Sequence, residues 1–113
     1  MMSINQPKNL ELVACDPLAR EYQYKTKTGD LVNIVRLNHE CYFSNKFGEI
    51  GNIKMRDDGS GSIWIKSKCF AEYHYSIEGK YTVLPYTDGF KERVPIDIHP
   101  FDYLLDIVKS MNE

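Results

Sequence analysis

Six side chains of the kinds that bind metals or act as nucleophiles are scattered along the chain: Cys15, His39, Cys41, Cys69, His74 and His99. A structural zinc site draws its ligands in close pairs, and neither a Cys-x-x-Cys nor a His-x-x-x-His pair is present. His39 and Cys41 stand two apart, a spacing that puts both on one side of a strand. On chemistry alone the cysteines read as small buried hydrophobes, and no metal is expected. A cysteine hydrolase could be written on paper from Cys41 or Cys69, one of the histidines and Asp97. Any chain with three cysteines, three histidines and sixteen carboxylates offers that choice. No nucleophile sits in a Gly-x-Ser-x-Gly elbow, and Asp97 with His99 reads equally well as a surface pair just before a helix.

Phosphate and calcium loops fare no better. The glycines of Gly48-x-x-Gly51 and Gly59-x-Gly61 are not followed by a helical pattern or by Lys-Ser/Thr, so they read as turn residues. Asp57 and Asp58 lack the rest of a calcium loop. Paired carboxylates for glycoside chemistry need a cleft, which a domain this small seldom builds. The expectation is a protein that is not an enzyme and carries no cofactor; a small enzyme with a cryptic site is the third-ranked alternative.

What remains is a face of cations around the single tryptophan. Gly51 to Lys68 reads as a β-hairpin with its turn at Asp57–Gly61, and side chains on each arm alternate with a period of two. Ile53, Met55, Ile63 and Ile65 then share one side. Lys54, Arg56, Trp64, Lys66 and Lys68 take the other if the arms pair in that register. Indole and cations together suit a base stacked above phosphates. They equally suit a protein interface, or a tryptophan covered by a helix with lysines extended past it. Eight tyrosines add a second candidate surface, since so many hydroxyls cannot all be buried without partners. Tyr22, Tyr24, Tyr73 and Tyr75 are the candidates for an interface, although cross-strand pairing explains them as well.

The elements that position these residues follow from periodicity. Residues 1–9 are polar, contain Pro7 and read as a flexible lead-in to a single domain over 10–113. Leu10–Ala14 is a short edge strand, and Cys15-Asp16-Pro17-Leu18 a turn. Glu21–Lys27 and Leu31–Leu37 form a hairpin about Thr28-Gly29-Asp30; the second arm is apolar on both sides and should lie centrally. Cys41-Tyr42-Phe43 is a short apolar block, and Ser44–Gly48 looks like a loop. A third hairpin pairs Glu72–Ile77 with Lys80–Leu84. Lys91–Ile98 is extended, with Pro95 confining it to an edge or a loop. The spacing of Phe101, Leu104, Leu105 and Val108 predicts a helix over 100–111, with Pro100 at its first position and Asp102 and Lys109 placed to suit its dipole. The predicted fold is mainly β: a small bent antiparallel sheet or partly open barrel of about six strands, with the C-terminal helix on one side or plugging an end.

A chain of 113 residues can bury a core without a staple. A net charge of −2 argues against a protein that coats duplex nucleic acid through a global basic field. The charge is uneven: residues 50–70 hold four basic and two acidic side chains, residues 71–113 four and eight. No apolar run approaches the about twenty residues of a membrane helix, and the N-terminus lacks the pattern of a signal peptide. The odd, widely spaced cysteines point to a reducing compartment, so the default location is cytoplasmic. Together these features suit a non-catalytic macromolecule-binding protein: a small inhibitor, adaptor or accessory subunit, of which a phage-type (viral) inhibitor of a host factor is one example. A protein partner is favoured, a homodimer through an exposed sheet edge is a further expectation, and single-stranded nucleic acid held on the Trp64 face is the alternative.

Overall fold

The computed structural model describes residues 7–86 and 92–111. Among them, eight strands follow one another in an antiparallel meander, each hydrogen-bonded to the next: β1 (Leu10–Asp16), β2 (Glu21–Thr26), β3 (Leu31–Arg36), β4 (Glu40–Asn45), β5 (Gly48–Met55), β6 (Ser60–Ile65), β7 (Lys68–Tyr75) and β8 (Tyr81–Pro85). One helix, α1 (Pro100–Met111), follows. No helix among the described residues is long and apolar enough to cross a membrane.

The strand count exceeds the expected six because short connections suffice between neighbours. The block at Cys41–Phe43 is the middle of a full strand, β4. The stretch expected to be a loop contains only the turn at Lys46-Phe47 before β5 sets off from Gly48. By contrast, the extended stretch before the helix yields a single bridge: the Ile96 and Val83 amides each donate to the other's carbonyl at 2.8 Å. Pro95, beside that bridge, has no N–H to continue a ladder.

The sheet stays open, and β1 and β8 are its edges. Barrel closure is replaced by the helix, which lies against β5, β6 and β8 on one side of the sheet. That inner side carries the alternate residues Val32, Ile34, Cys41, Phe43, Ile53, Ile63, Ala71, Tyr73 and Val83, all buried. β3 lies in the interior of the sheet as its pattern predicts, with Val32 and Ile34 inward. Leu104 of the helix is fully buried among the inner residues, and the Phe101 ring meets Phe43 edge-on at 4.9 Å. Gly51 lets the helix come this close: a Cβ there would lie 2.6 Å from the Trp64 carbonyl and 3.3 Å from Leu104 Cδ1. A larger residue would collide with the β6 backbone at Trp64 and crowd Leu104.

The start of the helix is fixed by two side chains. His99, 6% exposed, accepts the Phe101 N–H on Nδ1 at 3.1 Å, so an imidazole does the work of an N-cap. Asp102, 2% exposed, accepts the N–H groups of Lys8 (2.7 Å) and Asn9 (3.0 Å). Two residues expected to close a flexible lead-in are thereby tied to the far end of the chain; residues 1–6 of that lead-in lie outside the described residues.

Candidate functional site

The central hairpin has the register that the sequence suggested. Asn52 faces Trp64, Ile53 faces Ile63 and Lys54 faces Ser62, so the isoleucines point inward and Trp64 points outward with Lys54. The helix lies on the opposite side and does not cover the indole. Trp64 is half-buried among its own neighbours. Its Nε1–H donates to Ser62 Oγ at 2.8 Å, and Lys54 Nζ stands 4.3 Å from the ring centroid. Lys54 is paired in register with Glu40 on one side, yet its amine rests on the indole on the other.

Two of the other basic residues of the expected face, Lys66 and Lys68, are elsewhere. Lys66 is not on a strand. It forms, with Ser67, the two-residue turn between β6 and β7, both at positive φ (51° and 65°), as a primed hairpin turn requires. From there it lines a shallow cavity of about 350 Å³ beside the end of α1, with Phe47, Ile50, Ile65, Val108 and Met111. Lys68 faces Ile65 in register, and its amine stands over Phe70, a ring that packs against the inner core. The register slip between Ile63 and Trp64 sets Cys69 opposite Trp64 and Lys68 opposite Ile65, so Lys68 leaves the Trp64 side while remaining exposed. Arg56 flanks the turn of the hairpin, its Nη1 3.3 Å from Ser60 Oγ.

What gathers around Trp64 instead is a row of residues from other strands. Tyr42 faces Asn52, Asn52 faces Trp64, and Trp64 faces Cys69. Tyr86, just past β8, is anchored next to this row by its N–H to the Phe70 carbonyl at 3.0 Å. Aromatic side chains thus occur on alternate strands of the outer side, with Tyr42 37% and Tyr86 45% exposed. Both phenols stand beside carboxylates. Tyr86 Oη donates to Glu72, and Glu40 lies next to Tyr42; the carboxylate in each case raises the phenol's pKa. Glu40 also accepts from Asn52 Nδ2 at 3.4 Å.

Arg93 completes the group. Its Nε and Nη2 donate to the carbonyls of Pro85 (3.0 Å) and Leu84 (3.1 Å), and its guanidinium carbon lies 4.2 Å from the Tyr86 ring centroid. Sequence reasoning missed Arg93, Tyr86, Tyr42, Glu40 and Glu72 as members of this face. The alternation around Tyr42 was a signal for its side of the sheet. No local pattern links Arg93 to β8.

The tyrosines expected to form an interface lie on the inner side. Tyr73 is 7% exposed and belongs to the core, and Tyr22 and Tyr24 are half-buried against it. Tyr75 and Tyr81 pack at a tilt with centroids 4.5 Å apart, and Tyr81 meets His99 edge-on at 4.7 Å. Burial is the first cause of the raised pKa of Tyr24, Tyr81 and Tyr103. These rings pack the fold; they do not form an exposed patch.

The candidates for metal or nucleophilic chemistry are dispersed. Cys15 is exposed, Cys41 is buried and Cys69 half-buried. Burial pushes the Cys41 thiol up, with Arg36 opposing it. His39 Nε2 lies 3.3 Å from Asp57 on an exposed loop, whereas Cys41 points into the core. Asp97 does not pair with His99: it is held by Lys80 at 2.7 Å, while His99 turns under the helix. Among the described residues no three His, Cys, Asp or Glu side chains come together as a metal site. No family model matches the chain, and neither a curated protein nor a solved structure does.

Proposed function

We propose that this is a non-catalytic binding protein that recognises another protein through the outer side of its sheet, as an inhibitor, adaptor or accessory subunit would. The observation that carries this reading is the row of Tyr42, Trp64 and Tyr86 on the side the helix leaves uncovered, ringed by Lys54, Arg93, Glu40 and Glu72. Large rings held by local bonds give contact area at small entropic cost, and rings with cations beside them are frequent hot spots. Charge of both signs around the row favours protein over nucleic acid, whose backbone would meet Glu40 and Glu72. The face of the indole that a base would stack on already carries the Lys54 amine.

A pull-down from the source organism's extract tests this, with wild type, Trp64→Ala and Ile77→Ser as a control in a fully exposed turn. The expected result is a protein retained by wild type and by the control, lost with Trp64→Ala, and unaffected by nuclease. Loss of the partner on nuclease treatment would transfer the face to nucleic acid. Retention by Trp64→Ala would remove it from function.

A further inference from the structure

Phe47 is an unusual place for an aromatic ring. With Lys46 it forms the two-residue turn between β4 and β5, and it is 85% exposed. Its N–H donates to Asn45 Oδ1 at 2.8 Å, so the turn that carries the ring is fixed. Beside it lies the shallow cavity of about 350 Å³ whose apolar lining is completed by Ile50, Ile65, Val108 and Met111. Ile50 and Ile65 are buried and Met111 is exposed, so the hollow has an apolar floor and an open rim. Ile50 is the extra residue of a β-bulge: Phe43 faces Gly51 and Ser44 faces Glu49, with Ile50 between them.

A projecting ring and an apolar hollow thus stand side by side on one patch. A two-fold interface asks for that arrangement, because the same patch must serve on both copies, with the projection of each meeting the hollow of the other. The volume suffices, since a cavity of about 150 Å³ already holds one benzene. Charge is compatible as well. Lys46 is next to the ring and Glu49 lines the hollow, and among the described residues neither takes part in an ion pair. A two-fold can set the Lys46 of one copy against the Glu49 of the other. The sheet edges suit self-pairing less well. β8 is closed by its bridge to Ile96 and by Arg93, and β1 is interrupted by the register slip between Leu12 and Ala14, a device that discourages edge pairing.

We propose that two copies of this chain associate two-fold through this end of the sheet, each Phe47 seated in the hollow formed by Ile50, Ile65, Val108 and Met111 of the other copy. The contact is small, so the dimer is a weak one, populated in the micromolar to millimolar range. It is independent of the outer side, where Trp64 stays free for a different partner.

Sedimentation equilibrium over that concentration range tests this, with wild type and four variants. Phe47→Ser removes the ring from an exposed turn. Val108→Trp fills the hollow. Leu18→Ser removes an equally exposed apolar side chain from the β1–β2 turn, at the opposite end of the strands, and Trp64→Ala alters the outer side. The expected result is a monomer–dimer equilibrium in wild type, Leu18→Ser and Trp64→Ala, with association at least about tenfold weaker in Phe47→Ser and Val108→Trp. Circular dichroism identifies a variant that fails to fold; if Val108→Trp does, Phe47→Ser, whose side chain lies outside the core, decides the matter alone. A wild type that stays monomeric throughout the range overturns the proposal. So does a dimer that persists in Phe47→Ser, or one that Leu18→Ser or Trp64→Ala weakens as much. Loss of a pulled-down partner with Trp64→Ala bears on the outer side alone and leaves the dimer to be judged by Phe47.

Discussion

His99 shows how one side chain can hold an element and make it sensitive to acid. Its Nδ1 caps α1 only while unprotonated, and its ring is wedged between Tyr81 and Phe101, each at 4.7 Å. Burial pushes its pKa down from the ordinary 6.5 to about 4. The unfolded chain therefore takes up this proton near pH 6.5, while the folded chain resists until about pH 4. The contribution to stability is complete above pH 6.5, declines as pH falls through that window, and is constant below it. Its size is on the order of 3 kcal/mol. Melting temperatures measured from pH 7.5 to 4 should fall across the window in wild type. In His99→Asn, which can still cap the helix, this part of the slope should be missing. An unchanged slope in the variant would place the acid sensitivity elsewhere. Trp64 is the opposite case, a large side chain whose outward position leaves it little role in the core, so its removal should be felt in binding before stability.

At the scale of the element, α1 covers the inner side at β5, β6 and β8, and its contribution is concentrated in one turn. Leu104 is fully exposed to the core and 0% to solvent, whereas Leu105 and Val108 are only half-buried. Leu104→Ala should therefore cost about 2–5 kcal/mol, with Leu105→Ala clearly less. Urea unfolding of the two variants checks the order. Equal effects would mean that the helix is rotated from the position described. The stripe of Phe101, Leu104, Leu105 and Val108 is visible in the sequence; which of its members lies deepest is set by the gap that Gly51 leaves in the sheet below.

For the whole molecule the notable contact is the one that joins its ends. The Asp102 carboxylate, buried at the start of α1, holds the backbone of Lys8 and Asn9 next to β1. A meander is built from local hairpins, so each strand after the first forms on its predecessor; the clamp adds a contact between residues more than ninety positions apart. Asp102→Ala leaves both donors without their acceptor and should cost about 1–3 kcal/mol. Removal of residues 1–9 should produce a similar loss, and the two changes combined should lose little more than either alone, since they break the same contact. Thermal melts of the three variants measure this. Full additivity would show that the clamp contributes nothing.

The meander itself was legible because its information is local. Period-two alternation and turn residues place Tyr24 against Val32 and Ile53 against Ile63 across short connections. The helix was legible from its stripe and from Pro100. That Trp64 and Lys54 share one side followed from the same alternation. Alternation alone did not reveal the register slip that takes Lys68 off the Trp64 side, nor the positive-φ turn that takes Lys66 out of its strand. Both are single-residue departures that a period of two conceals. The side of the sheet that the helix would choose was undetermined in sequence, because strands such as β3 carry apolar residues on both sides. Only the packed structure decides that the helix lies against β5, β6 and β8 on the inner side and leaves Trp64 clear. Only the packed structure brings Arg93 to the carbonyls of β8, because partners chosen by long-range packing leave no trace in the spacing of neighbouring residues.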